Sequence, residues 1–122
     1  MFIFTGHLSE PASVLQSSNL LFKLTRENNP WGRDILEALN CGLPVVSIGS
    51  YDKFVKTGVT GLLQNEYNPA AIAKWIEEVI ADQSKLAQMS ENAKLLTSRL
   101  CSAEISSKRV KSVWKKLLTE FI

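Results

Sequence analysis

Asn29-Pro30-Trp31-Gly32-Arg33-Asp34-Ile35-Leu36-Glu37-Ala38-Leu39-Asn40-Cys41-Gly42-Leu43-Pro44-Val45-Val46-Ser47-Ile48 is the stretch that decides the fold class. Ile35, Leu36, Ala38 and Leu39 lie on one helical face and Gly42 supplies a stop, so the pattern predicts a helix from about Trp31 to Cys41. Leu43 to Ile48 is short, β-branched, bounded by Gly42 and Gly49, and carries its proline near the start, the marks of a buried strand. Before the helix, Pro30 pushes Asn29 out of helical geometry, which makes Thr25 to Asn29 a loop after a strand over Leu20 to Leu24.

Working outward, Phe2 to Thr5 is an apolar run closed by Gly6 and reads as a first strand. Pro11 opens a short helix to about Ser18, with Val14 and Leu15 on its buried face. Tyr51 to Lys56 reads as a brief helix, and Gly58 and Gly61 bracket a turn into a last strand at Leu62-Leu63. Helices are predicted from Asn68-Pro69 to about Asp82, from about Ser84 to Arg99, and from about Ser102 onward. Alternating strands and helices imply an α/β fold: a Rossmann-like parallel sheet of about four strands with flanking helices and a helical C-terminus. About 1–65 forms the strand and helix core and about 68–122 the helical part of a single domain spanning 1–122.

At 122 residues and 13.6 kDa there is room for one domain, and 45% hydrophobic residues suffice for a core. A net charge of +2 lacks the dense positive field of a nucleic-acid module. Cys41 and Cys101 stand apart, with no neighbours at metal-ligand spacing, and are expected to be reduced. Neither a signal peptide nor a run of about 20 apolar residues is visible, so the expected location is cytoplasmic.

The loop and helix start around Asn29 to Arg33 carry the chemistry. In open parallel sheets ligands bind where a strand's end meets the next helix. Unpaired amides at such a helix tip suit a phosphate, Gly32 allows close approach, and Arg33 offers a bidentate fork. The plainer alternative is that Asn29 caps the helix, Pro30 starts it and Arg33 is solvated. Glu37 lies one turn beyond Arg33: it either forms a surface ion pair or accepts two hydrogen bonds from a sugar diol. Trp31 either shields a ligand from water or anchors packing. His7 is given no role, and Tyr51 to Lys56 could border the cleft.

Three motifs stand in order: Asn29-Pro30-Trp31-Gly32 leading to Ile35-Leu36-Glu37-Ala38-Leu39, then Cys41-Gly42-Leu43-Pro44-Val45-Val46, then Gly58-Val59-Thr60-Gly61-Leu62-Leu63. Over about Phe2 to Lys94 the sequence resembles the C-terminal, donor-binding lobe of group-1 retaining glycosyltransferases of GT-B fold. The resemblance implies a nucleotide-diphosphate-sugar donor, no further cofactor and no metal. It implies that Glu37 binds the ribose, that Trp31, Gly32 and Arg33 face the donor sugar and diphosphate, that Gly6 lies near the base, and that Thr25 and Arg26 edge the cleft.

The family's first glutamate of the pair falls on Asn29, which can hydrogen-bond a sugar but brings no charge to a developing cation. Glu27 lies two positions too early to replace it. The family's diphosphate-neutralising Arg and Lys, and its acceptor-binding lobe, precede the strand with which this chain begins, so the chain is expected to offer half a site. Two readings follow: a donor-binding lobe for retaining transfer to an acceptor hydroxyl, or a noncatalytic split or decayed lobe acting through another polypeptide. A dinucleotide-binding dehydrogenase is disfavoured because no glycine fingerprint follows the first strand. The expected partners are the nucleotide sugar and a separate N-terminal lobe or other protein. Val110 to Phe121 forms an apolar stripe among Lys108, Arg109, Lys111, Lys115 and Lys116; docking against its own domain or a missing lobe is preferred to contact with an anionic membrane.

Overall fold

The computed structural model describes residues 1–121. Its elements, in chain order, are α1 (Pro11–Gln16), β1 (Leu21–Lys23), α2 (Arg33–Asn40), β2 (Val45–Ile48), β3 (Gly61–Gln64), α3 (Pro69–Ala81), α4 (Gln83–Leu100) and α5 (Ala103–Phe121). The three strands form one parallel sheet in the order β1-β2-β3, with Leu21 opposite Val45 and Val45 opposite Gly61. This is the α/β architecture expected, with three strands in place of about four.

The missing strand is the one predicted over Phe2 to Thr5. These residues are exposed and pair with no strand, because an apolar run gains strand geometry only from a neighbouring ladder. The brief helix predicted over Tyr51 to Lys56 is also absent. The Phe54 carbonyl accepts from Thr60 Oγ1 at 2.8 Å, and the Lys56 amide donates to the same oxygen at 2.9 Å. Those groups are thereby bound to a side chain instead of to helical partners, and Tyr51 and Phe54 pack edge to face.

Sequence chemistry accounts for the element ends. After α2, the Leu43 amide donates to the Ala38 carbonyl at 2.9 Å and the Gly42 amide to Leu39 at 3.0 Å, a Schellman closure that needs the left-handed φ of +79° at Gly42. Pro69 occupies the first turn of α3, where Asn68 Oδ1 accepts from the Ala71 amide at 3.0 Å. Asp82 ends α3 and caps α4, accepting from the amides of Ser84 and Lys85 and from the Ser84 hydroxyl.

Val45 and Val46 point to opposite faces of the sheet and found two cores. Val45 packs with Ile35, Ala38, Leu39, Leu43, Val55 and Ala93; Val46 packs with Leu62, Ile72, Trp75, Val79 and Met89. Both faces are covered, as a parallel sheet requires. Gly61 permits the tight β2–β3 approach: a Cβ there would lie 1.9 Å from the Val45 carbonyl oxygen.

α5 has no buried residue. The apolar stripe, expected to dock on its own domain or on a missing lobe, does not dock on its own domain: within α5 only Ile105, near its start, is partly buried.

Candidate functional site

All three strands run the same way, so their C-terminal ends share one edge of the sheet. A cleft of about 600 Å³ opens there, lined by Leu24 and Arg26 after β1, Ile48 at the end of β2, and Asn65, Glu66 and Tyr67 after β3. That volume falls in the range of about 300–1,000 Å³ usual for small-molecule sites. α2 runs antiparallel to the strands, which brings its N-terminal tip to the same edge.

The tip is built differently from the simplest expectation. Gly32, not Asn29, is the N-cap, and α2 starts at Arg33 rather than Trp31. Gly32 has a φ of +133°, and a Cβ there would sit 2.8 Å from Asp34 Oδ1 and 3.0 Å from Lys23 Nζ. Lys23, at the end of β1, donates to the Trp31 carbonyl at 2.7 Å and to Asp34 Oδ1 at 3.0 Å. Its side chain is mostly buried, so one ammonium holds loop and helix together and occupies the space a larger residue 32 would need. Asp34 Oδ1 also accepts from the Ile35 amide at 2.9 Å. The amides of Arg33 and Asp34 keep no acceptor among the described residues.

A second clasp fixes the loop from the β2 side. Asn28 Nδ2 donates to Ser50 Oγ at 3.0 Å, and its Oδ1 accepts from the Ser50 amide at 3.1 Å. Gly49 makes room for it: a Cβ there would meet Asn28 Oδ1 at 2.3 Å and Pro30 Cδ at 2.6 Å. Pro30 is consequently buried while Trp31 beside it is exposed.

The residues singled out from the sequence divide. Arg26 lines the cleft; Thr25 adjoins it, its hydroxyl donating to the Glu27 carbonyl at 3.2 Å. Trp31, Gly32 and Arg33 gather at the α2 tip, with Asn29 partly buried just before it. Glu37, with its side chain 43% exposed, accepts from Arg33 Nε at 3.0 Å and does not line the cleft. Gly6 lies in the exposed leading segment, where a Cβ would meet nothing within 4 Å. Sequence reasoning passed over Lys23, Asn65, Glu66 and Tyr67 and gave Asn28, at the head of the candidate cluster, no role. The rule that ligands meet the carboxyl ends of parallel strands points to Asn65, Glu66 and Tyr67; nothing local marks Lys23 or the clasp that Asn28 makes with Ser50. Among the described residues no group of three His, Cys, Asp or Glu side chains is placed to hold a metal ion.

Comparison with known proteins bears on this edge. The family model for glycosyl transferases group 1 matches residues 1–96. YtcC of Bacillus subtilis (strain 168), a provisionally assigned glycosyltransferase, is 33% identical over 95 residues, covering 75% of this chain and 23% of YtcC. The crystal structure of Anabaena Alr3699/HepE in complex with UDP superposes with a TM-score of 0.79 at 26% identity, over 92% of this chain and 32% of that one. The same protein has been solved with UDP-glucose, at 27% identity, a TM-score of 0.70, and 84% and 29% coverage. Sucrose-phosphate synthase from Thermosynechococcus elongatus, at 22% identity and a TM-score of 0.72 over 88% of this chain and 27% of that one, shares the fold. The aligned part of this chain thus spans between about a quarter and a third of the length of these relatives. With a family match over more than three quarters of its residues and the three motifs on their expected elements, the chain belongs to the group 1 glycosyltransferases.

Proposed function

We propose that this chain is a donor-binding lobe that holds a nucleotide-diphosphate sugar for retaining transfer to an acceptor hydroxyl. The observation that carries the reading is the likeness, above 25% identity, to a protein solved with UDP and with UDP-glucose, together with free amides at the α2 tip. Those amides and the helix dipole favour the diphosphate. Lys23 keeps the tip in place through the Trp31 carbonyl and Asp34.

Glu37 is assigned the ribose hydroxyls. The Arg33–Glu37 pair does not oppose this: both side chains are well exposed, and such pairs contribute about 0–1 kcal/mol, so Arg33 can turn to a phosphate while Glu37 accepts from a diol. Departure of the nucleoside diphosphate leaves positive charge on the sugar, and stabilising the leaving anion is the work these amides and Arg33 can do. Asn29 can position sugar hydroxyls but adds no countercharge. To Arg26, Asn65, Glu66 and Tyr67, which line the cleft, we assign the parts of donor or acceptor that extend along the strand ends.

Titration calorimetry with UDP and other nucleoside diphosphates tests the assignment. Binding is expected, with Glu37→Ala weakening it about tenfold, as loss of a hydrogen bond to a charged group of about 1.5 kcal/mol would do. Unchanged affinity in Glu37→Ala refutes the role of that carboxylate. Asn29 favours a second reading, a noncatalytic lobe that docks on another polypeptide. Donor hydrolysis by a monomer, measured with light scattering, would exclude it.

A further inference from the structure

We propose that Asp34 is a specificity-determining residue of the donor site, its carboxylate weakening the hold on a nucleoside diphosphate more than on the corresponding nucleotide sugar. The inference rests on the placing of a diphosphate at the α2 tip. Asp34 is the acidic residue in the first turn of α2. Its Oδ1 accepts from Lys23 Nζ at 3.0 Å and from the Ile35 amide at 2.9 Å, and the place that a Cβ on Gly32 would take is 2.8 Å from the same oxygen. The carboxylate is thus folded back beside the N-cap. Oδ2 takes no donor among the described residues. The Lys23 side chain is 14% exposed and that of Asp34 54%, so the ion pair has its positive member in the interior and its negative member toward water. A ligand arriving from solvent meets the negative member first.

An acidic residue in a first turn complements the helix dipole, and for the same reason it competes with any other anion held there. The competition depends on ligand charge. Esterified to a sugar, the terminal phosphate of a nucleoside diphosphate keeps one ionised oxygen; unesterified, it gains a second above about pH 6. The product of transfer therefore carries one more negative charge than the donor, on the phosphate nearest the sugar site. An anion bound by the amides of Arg33 and Asp34 is within about 7 Å of the carboxylate, and across a solvated edge, at an effective dielectric between about 40 and that of water, one unit charge at that separation amounts to about three- to sevenfold in affinity. Arg33 and the amides act with the opposite sign, favouring the more charged species, which leaves Asp34 as the group at the tip that holds back the product. Its cost falls in full on the bound product and only in part on a transition state whose leaving group is still gaining charge, so the residue assists product release, a step that limits many enzymes.

Titration calorimetry of the full chain with UDP and with UDP-glucose, at low ionic strength and about pH 8, tests this. Asp34→Asn keeps an Oδ1 acceptor for Lys23 and the Ile35 amide while removing the charge. It is expected to raise the affinity for UDP about three- to sevenfold more than that for UDP-glucose, and that excess should vanish in ~1 M sodium chloride, where charges are screened beyond about 3 Å. Asp34→Glu, which restores the charge, should return the ratio of the two affinities toward that of the unsubstituted protein. An unchanged ratio in Asp34→Asn, an equal rise for both ligands, or a shift that survives high salt overturns the proposal and leaves the donor site standing. Failure of the unsubstituted chain to bind either ligand overturns both.

Discussion

Replacing Thr60 with valine keeps the shape of a buried side chain and removes one oxygen. That oxygen donates to the Phe54 carbonyl at 2.8 Å and accepts from the Lys56 amide at 2.9 Å, in a residue 1% exposed. Valine leaves both backbone groups without partners, each at about 1–3 kcal/mol, so a loss of about 2–6 kcal/mol is expected. For a chain of this size that lowers Tm by roughly 8–24 °C, at about 4 °C per kcal/mol. Thr57→Val is the matched control: its hydroxyl also bridges a donor and an acceptor, the amide and carbonyl of Leu63, both at 3.1 Å, but in an exposed setting where water can substitute. It should cost under about 1 kcal/mol. Urea unfolding of both variants, read by Trp75 in the core, gives the comparison; the midpoint should fall and the m-value stay constant. Equal losses, or a Thr60→Val loss below about 1 kcal/mol, would refute the view that the threonine of Gly58-Val59-Thr60-Gly61 ties the 54–60 loop together.

Two further substitutions probe the site and its support. Lys23→Met removes the ammonium shared by the Trp31 carbonyl and Asp34 and should destabilise the domain by about 1.5–3 kcal/mol in urea melts, while weakening nucleoside diphosphate binding by calorimetry. Retained affinity would detach Lys23 from the tip. The Asp82 carboxyl is held below its ordinary value of 3.8, chiefly by the Ser84 hydroxyl and then the Lys85 amide. Because its native pKa is depressed, its stabilisation is complete above the ordinary aspartate value and is lost as pH falls through the native one. Asp82→Asn, which can still cap α4, should flatten the part of the acid limb of stability below about pH 3.8 that this group causes; an unaltered limb in acid titration monitored by circular dichroism would assign the loss to other carboxylates.

The α2–β2 unit is legible in the sequence because its signals are local and agree: an apolar helical face, a glycine at the closure, a β-branched run. Phe2 to Thr5 carries an equally strong apolar signal and forms no strand, since composition supplies the side chains of a ladder but not the partner. The site shows the same division. Gly32, Arg33 and Glu37 stand out through spacing and motif, whereas Lys23 and Asn28 act on residues up to 22 positions away. Such contacts exist only after the strands have aligned. Thr60 is visible as part of a motif, but its burial, and hence its structural work, appears only when the loop closes over it. The ion pair of Arg33 and Glu37 is one of two alternatives that helical spacing leaves open, and it is the one formed without a ligand.

Gly49 lies outside the loop it accommodates, just past the end of β2, and its missing side chain is filled by Asn28 and Pro30. The shape of residues 24–32 is therefore not a property of that segment. Anyone grafting this loop onto a related scaffold to alter donor choice would have to carry a glycine at the end of the adjacent strand and Ser50 beside it, or the transplanted helix entrance would be levered away from the sheet.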